Sequence, residues 1–219
     1  MCFTATVNGT ARTQAERSAS TRTALLDAAI ETLIDSGYAS LTTRRVGERA
    51  GLSQGAQQHH FRSKADLVAA AIGRLFEHVV AAALSSPIEA DTERGRAEAL
   101  LDRVWEVHDH PIAHAVIDVL VAARTDDALA RTVRPVVKAA FDGATAGAAQ
   151  LLPTYAALPD FPHFITTAIA TARGLVVVKS IPGCSDLQPD WPIVRAQMMS
   201  TIDALAEDHN KSNSTSMGR

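Results

Sequence analysis

The chain has 219 residues, 47% of them hydrophobic, 21% charged and only 5% aromatic, with 21 Lys/Arg against 24 Asp/Glu and a formal net charge of −3. That composition suits one or two soluble globular domains with a real core, and an alanine-rich chain poor in aromatics favours packed helices over sheets. It argues against a membrane span, because no apolar run approaches the ~18 residues needed. It argues against export and disulfide stapling too: residues 1–20 lack a leader's apolar core, and the two cysteines, Cys2 and Cys184, stand far apart. A reducing cytoplasm is the expected setting.

Residues 1–19 are small, polar and aperiodic, and read as a flexible arm in which Arg12 and Arg17, with Arg22 just beyond, can reach phosphate or a minor groove. From Thr21 to Ser36, Leu26, Ala29, Ile30, Leu33 and Ile34 recur at i, i+3, i+4 spacing, which predicts an amphipathic helix ended by Gly37. Tyr38 and Leu41 then fold back as core plugs. Thr42 and Thr43 can cap a short helix whose apolar contacts are Val46, Ala50 and Leu52; Gly51 sits at a sharp turn; Ser53 can cap a second short helix, Gln54–His60. That second helix is polar and rich in side chains that both donate and accept, as expected where an outer face meets base edges in a DNA major groove.

Ser63 and Asp66 open a long helix running to about Leu84, and Ser85, Ser86 and Pro87 break it. Further helices are expected at about 92–108, 111–125, 127–152, 160–181 and 190–208, with most prolines near their ends. Pro135 falls inside one, predicting a kink or a helix start. There is no strand alternation, repeat period or heptad pattern. Residues 209–219 read as a disordered tail.

Charge divides the chain as the helices do. Thr42–Lys64 carries Arg44, Arg45, Arg49, Arg62 and Lys64 against Glu48 alone, a local +4. Residues 1–67 carry eight basic and six acidic groups, leaving thirteen and eighteen for the remainder. A basic head on an acidic body suits a module that binds phosphate next to one that does not. The expected organisation is an arm (1–19), a helix-turn-helix DNA-binding domain (20–67), a helical regulatory and dimerisation domain (68–208) and a tail (209–219).

At Thr21–Arg74 the sequence resembles the TetR family of transcriptional regulators. The resemblance rests on a first helix ending in SGY, followed by LTTRRVGERAGLSQGAQQHHFRSKADLVAAA. The matching positions are Thr42, Thr43, Val46, Gly47, Ala50, Gly51, Leu52, Ser53, Gly55, His60, Phe61, Ser63 and Lys64. One departure stands out. The family usually places an aromatic, most often Tyr, just before the His-His-Phe run, where this chain has Gln58 after Gln57. Gln can still bond a phosphate or an adenine edge but loses the flat apolar contact.

The resemblance implies an all-α fold and a homodimer whose last two long helices form a four-helix bundle across a two-fold axis. Ala168, Ala170, Ala172 and Gly174 are small enough for close helix contact, and Met198, Met199, Ile202 and Leu205 supply an apolar stripe. Ile165 is grouped with them. A two-fold dimer would set two reading helices in successive major grooves of a palindromic site. The resemblance also implies a mechanism: an unknown small apolar effector enters the body, shifts the fourth helix and releases a repressor from DNA.

Gln54, Gln57, Gln58 and His59 are the candidates for base-edge contact, and Thr43, Arg44, His60 and Lys64 for phosphate contact. Ser53, at the start of the reading helix, is grouped with these, while Phe61 reads as core. For the effector pocket the candidates are Phe76, Trp105, His108, His114, Asp118, Phe141 and Arg173. No cofactor is called for, since a glycine-rich phosphate loop, a nucleophile elbow and paired glutamates are all missing, and the expected protein is not an enzyme. Two other readings remain open. A DNA-binding dimer without ligand response would lack a body cavity of some ~300 Å³. A metal-dependent enzyme would use the cluster of His108, His110 and His114, with Asp118 one turn on.

Overall fold

The computed structural model describes residues 13–85 and 87–217. Residues 1–12 of the expected arm, with Cys2 and Arg12, and residues 218–219 of the expected tail lie outside the described residues. The helices are α1 (Gln14–Ser40), α2 (Thr43–Arg49), α3 (Gln54–His60), α4 (Lys64–Ser85), α5 (Glu93–His108), α6 (Pro111–Ala122), α7 (Asp127–Leu151), α8 (Pro153–Ala156), α9 (Phe161–Lys179) and α10 (Trp191–Met217), with a 3₁₀ turn at Ser185–Leu187. No strand occurs among the described residues.

The first helix starts earlier than its apolar periodicity indicates. The Thr13 hydroxyl accepts from the Glu16 amide (3.2 Å) and the Glu16 carboxylate accepts from the Thr13 amide (2.7 Å). This reciprocal pair satisfies two orphan donors and drives helix through residues 14–19, correcting the flexible arm expected there. Arg17 and Arg22 therefore ride on a helix. At the other end Gly37 takes φ 69°, a left-handed conformation that L side chains rarely adopt, and the helix breaks there as expected. Leu41 then plugs the core, fully buried, and Tyr38 packs partly buried against it.

Two apolar cores organise the molecule. The first joins Leu25, Leu33 and Val46 to Leu67 and Ile72 of α4, then runs on into Val119 of α6 and Leu129 and Val133 of α7. The head is therefore packed directly onto the first turns of α7, and α4 belongs to head and body alike. The second core gathers Leu101, Tyr155, Phe161, Phe164, Met199 and Ile202. Trp105 stacks on Trp191 (5.1 Å between ring centroids, 11° between planes), and the Trp191 indole donates to Asp102 at 2.7 Å while Arg195 pairs with the same carboxylate. Tyr155 donates to Asp203 at 3.0 Å; burial, then that bond, push its phenol up to about 12.

Pro135 lies within α7 rather than starting a helix. The final helix runs to Met217, so residues 209–217 are helical where a tail was expected. Helix α9 is long and apolar enough, by length and composition, to cross a membrane; here Phe161, Phe164, Ile165, Ala168, Ile169, Ala172 and Val176 bury its apolar face in the core.

Candidate nucleic-acid interface and ligand cavity

The head is built as its caps dictate. Thr42 accepts from the Arg45 amide at 3.1 Å to start α2, and Ser53 accepts from the Ala56 amide at 3.3 Å to start α3. Between them Gly51 turns the chain with φ 68°. Gly47 is buried where the two helices cross: a Cβ there would meet the Leu52 carbonyl oxygen at 3.5 Å and Gln57 Cβ at 3.9 Å. Helix α3 turns Gln54, Gln58 and His59 outward, all exposed, and Gly55 between them faces open space. The outer side of α3 is thus two amides, an imidazole and bare backbone.

Two candidates of the DNA-contacting set have other occupations. Gln57 is 2% exposed and its Nε2 donates to the Phe61 carbonyl at 3.2 Å, so it points inward and cannot reach a base edge. Its polarity reads as a recognition residue in sequence, but Gln57 lies one turn before the buried Phe61, at i and i+4, and so shares the side of α3 that packs on the core. Lys64 donates from Nζ to the Tyr38 carbonyl at 2.8 Å, with Nζ 3.8 Å from the centre of the Tyr38 ring. Its ammonium is thus held between α1 and α4 and not offered to phosphate. Burial pulls Lys64 below its ordinary value, with the Asp126 carboxylate working against that shift. Asp126 also raises the Tyr38 phenol, after burial, and accepts from the Leu129 amide at 3.0 Å to cap α7. Lys64, Tyr38 and Asp126 form the joint between head and body.

The remaining cations are distributed unevenly. Arg44, exposed, pairs along α2 with Glu48 at 3.2 Å. Arg45 reaches Ser36 Oγ at 3.2 Å. Arg49 folds back onto α1, paired with Asp35 and lying 3.7 Å from Glu31. Arg22 lies 5.4 Å above the Phe61 ring, beside His60. Burial, then His59 and Arg22, hold the His60 imidazole below its usual value, so at neutral pH it offers a neutral N–H. Thr43 is half-buried at the start of α2. Phe61 is buried, as expected of a core residue.

The body contains a cavity of about 220 Å³ walled by α4, α5, α6, α7 and α9. Phe76, His108, Phe141 and Arg173 line it, as the sequence suggested. Trp105, His114 and Asp118 do not. Trp105 is committed to the Trp191 stack, and His114 and Asp118 are exposed on α6, Asp118 close to Gly37. The sequence reading missed Arg103, Val104, Ile112 and Val116, which also line the cavity. Nothing distinguishes Val or Ile facing a cavity from Val or Ile facing a core until the helices are placed.

His110, His114 and Asp118 do not converge on a metal. His110 precedes α6 and accepts from the Ile112 amide at 3.3 Å, while His108 Nδ1 lies 2.7 Å from the Val104 carbonyl. Among the described residues no group of three or more His, Cys, Asp or Glu is placed to hold a metal ion.

The residues proposed for a dimer interface fall on the wrong side of their helices. Ile165, Ala168, Ala172, Met198 and Ile202 are all buried within the chain itself, and Leu205 is half-buried against the same core; Ile165 and Ala168 also line the cavity. Both helices are apolar over so wide an arc that period alone does not say which side is inner. The exposed side of α9 carries Ala170, Gly174 and Val177, with Ile181 just beyond, and that of α10 carries Ile193, Ala196, Ser200 and Ala204.

A three-helix head with a polar, outward-facing second helix in its turn motif, set on an all-helical body with an apolar cavity, defines the class of helix-turn-helix transcriptional regulators. Residues 25–71 match the family described as bacterial regulatory proteins, tetR family. A regulator of the same helix-turn-helix type from Mycobacterium tuberculosis is 28% identical over 194 residues, which cover 88% of this chain and 97% of that protein. The regulator CymR of Pseudomonas putida is 32% identical over 127 residues, 58% of this chain and 63% of its own. Among solved structures, a transcriptional regulator of Streptomyces coelicolor superposes with a TM-score of 0.63 at 20% identity, covering 85% of this chain and 98% of that one. FadR of Bacillus subtilis, solved with stearoyl-CoA, gives 0.60 at 12%, covering 82% and 96%. Residues 25–71 thus carry the DNA-binding region of the tetR family, and the chain is similar over 88% of its length to a helix-turn-helix transcriptional regulator.

Proposed function

We propose that the protein is a dimeric, cytoplasmic repressor that leaves a palindromic operator when a small molecule fills the body cavity. The observation that carries the DNA-binding half is the outward set Gln54, Gln58 and His59, flanking an unobstructed Gly55, on a helix fixed from behind by Gln57 and Phe61. Gln54 and Gln58 would read base edges, with adenine the natural partner of a bidentate amide. Glycine at position 55 lets the backbone approach the groove closely. Arg44, Arg45, Arg22 and the neutral N–H of His60 would hold the phosphates around it.

The dimer would form through the exposed face of α9 and α10. Ala170, Gly174, Val177 and Ile181 lie at i, i+4, i+7 and i+11, with Val177 40% and Ile181 49% exposed, and Ile193 on α10 is 53% exposed. Small residues and uncovered branched ones on adjacent helices suit close packing against a second copy.

Ligand release is supported by the route from the cavity to the head. Leu75 and Phe76 of α4 form one wall, and twelve residues earlier, roughly 18 Å along the helix, Lys64 grips the end of α1. A ligand that pushes on Phe76 works against that grip and changes the spacing of the two reading heads. At about 220 Å³ the cavity falls short of the ~300 Å³ that marks drug-sized sites, which on size alone favours the ligand-free reading; its apolar walls and basic side chains support a compact effector instead. The alternative of a body that only dimerises predicts no ligand effect at all.

The test is selection of bound fragments from the host's genomic DNA at moderate salt, read by sequencing. A palindromic motif near a few promoters, with spacing of about one helical turn between half-site centres, supports the regulator. Salt-sensitive binding without an enriched motif would remove Gln54 and Gln58 from base reading.

A further inference from the structure

We infer that the effector is a small apolar carboxylate, whose hydrophobic part fills the cavity and whose carboxylate pairs with Arg173. The inference rests on reading the cavity as the effector site and adds the chemistry of its occupant.

The cavity wall is aliphatic and aromatic except at three side chains, and all three are basic: Arg103, His108 and Arg173. Among the described residues no carboxylate, hydroxyl or amide side chain lines it. A neutral apolar ligand would leave a guanidinium desolvated and uncompensated, and a cation would meet like charge. An anion satisfies both the fit and the charge.

Arg173 is the group placed to meet it. Its guanidinium carbon sits 5.0 Å from the centre of the Phe141 ring, which also lines the cavity and fixes the plane of the fork. Burial alone depresses Arg173, with no carboxylate among its influences. The other charged pairs of the body are closed: Lys179 with Asp109 at 2.7 Å, Arg195 with Asp102, Arg94 with Glu98 and Asp203. Arg173 is a half-buried cation lining the cavity, set against a ring face. A planar fork favours the bidentate geometry of a carboxylate.

His108 completes the polar end. Its Nδ1 donates to the Val104 carbonyl, which leaves Nε2 without a proton in the neutral ring. Burial first, and Arg173 also, keep the ring neutral, so the positive charge of the site is guanidinium charge. The cavity's size sets the rest: about 220 Å³ holds on the order of ten non-hydrogen atoms at the ~30 Å³ or less each that a liquid allots. A single ring or a medium chain bearing one carboxylate fits; a nucleotide thioester does not.

The experiment uses the purified full chain with matched probes: octanoate, octanamide and octylamine, then 4-ethylbenzoate and 4-ethylbenzamide. Calorimetry gives affinities, and fluorescence anisotropy of labelled operator gives release. The expected result is that each carboxylate binds the wild type about tenfold to a hundredfold more tightly than its amide, the worth of one charge-assisted pair, and that the amine does not bind. Arg173→Gln should erase the preference and Arg173→Lys, which keeps charge without the fork, should restore part of it. Equal affinity for acid and amide in the wild type overturns the inference, and so does a preference that survives Arg173→Gln or the failure of every probe to bind. The two readings fail separately. Neutral probes that bind as tightly as the acids and release DNA would sink the carboxylate and leave the effector site standing. Carboxylates that bind through Arg173 without moving operator affinity would do the reverse.

Discussion

Replacing Gln57 with alanine separates a recognition residue from an architectural one. The side chain is 2% exposed and its amide donates to the Phe61 carbonyl at 3.2 Å, at the point where α3 ends and the chain turns toward α4. Truncation removes that hydrogen bond, worth about 1 kcal/mol net, and leaves a small void between Gly47 and Phe61 that adds a further ~1 kcal/mol. The combined loss of about 2 kcal/mol should lower Tm by roughly 4–8 °C in a chain of this length. Base preference should not change, because no atom of Gln57 reaches the outer face. The assay is a thermal melt alongside competition binding with every single-base variant of the selected operator. Gln58→Ala is the matched control: exposed, it should shift Tm by no more than the ~0.5 kcal/mol typical of surface changes while altering preference at one or two positions per half-site. A Gln57→Ala protein that melts like wild type and reads DNA differently would refute the reasoning.

Lys64→Met should cost about 1–2 kcal/mol of stability, through loss of a charged hydrogen bond to the Tyr38 carbonyl, and leave the salt slope of DNA binding unchanged. A slope reduced by about one per head at constant Tm would return Lys64 to the phosphate set. Gly174→Arg places a charge where a Cβ meets open space, so the monomer should fold normally while light scattering shows loss of the dimer and operator affinity falls at least tenfold. An unchanged mass would move the interface elsewhere. Glu93 accepts from the Thr154 amide at 2.7 Å and the Tyr155 amide at 3.2 Å; burial opposes its ionisation, but these bonds prevail and hold its carboxyl below the ordinary value near 4.5. Its contribution is therefore present at neutral pH and lost as pH falls through that lowered value. Glu93→Gln should flatten the acid limb of the Tm profile below pH ~5.

The parts of this molecule that could be read from sequence are those set by local chemistry. Caps at Thr42 and Ser53, the left-handed glycines at 37 and 51 and the punctuation around Pro111 and Pro153 act within a turn, so they place helices without tertiary knowledge. The Thr13–Glu16 box obeys the same rule, but no apolar run marks residues 14–19 as the helix it opens. The facing of each helix is a different matter. Gln57 reads as polar and turns inward, Ile165 and Ala168 read as interface and line a cavity, and Lys64 reads as a free cation and is clamped. Each depends on which neighbour fills the space opposite, and that is decided by helices distant in sequence. The pocket was half legible for the same reason. Phe76, His108, Phe141 and Arg173 stand out by type on helices that do meet, whereas Trp105, His114 and Asp118 stand out equally and face elsewhere.

Helix α9 leaves evolution little slack. Within nineteen residues one side closes the second core through Phe161 and Phe164, a neighbouring strip lines the cavity with Ile169 and Arg173, and the remaining apolar arc, Ala170 to Val177, stays uncovered. Adjacent positions thus answer to different demands, so a substitution that reshapes the cavity from α9 also disturbs packing one residue away. If the cavity is the effector site, new preferences should arise more readily from Leu100, Val104 or Ala144, which line it only partly buried, than from the buried Ile165, Ala168 and Ile169 of α9. A saturation library selected for altered induction should return its winners from α5 and α7 and find α9 nearly silent.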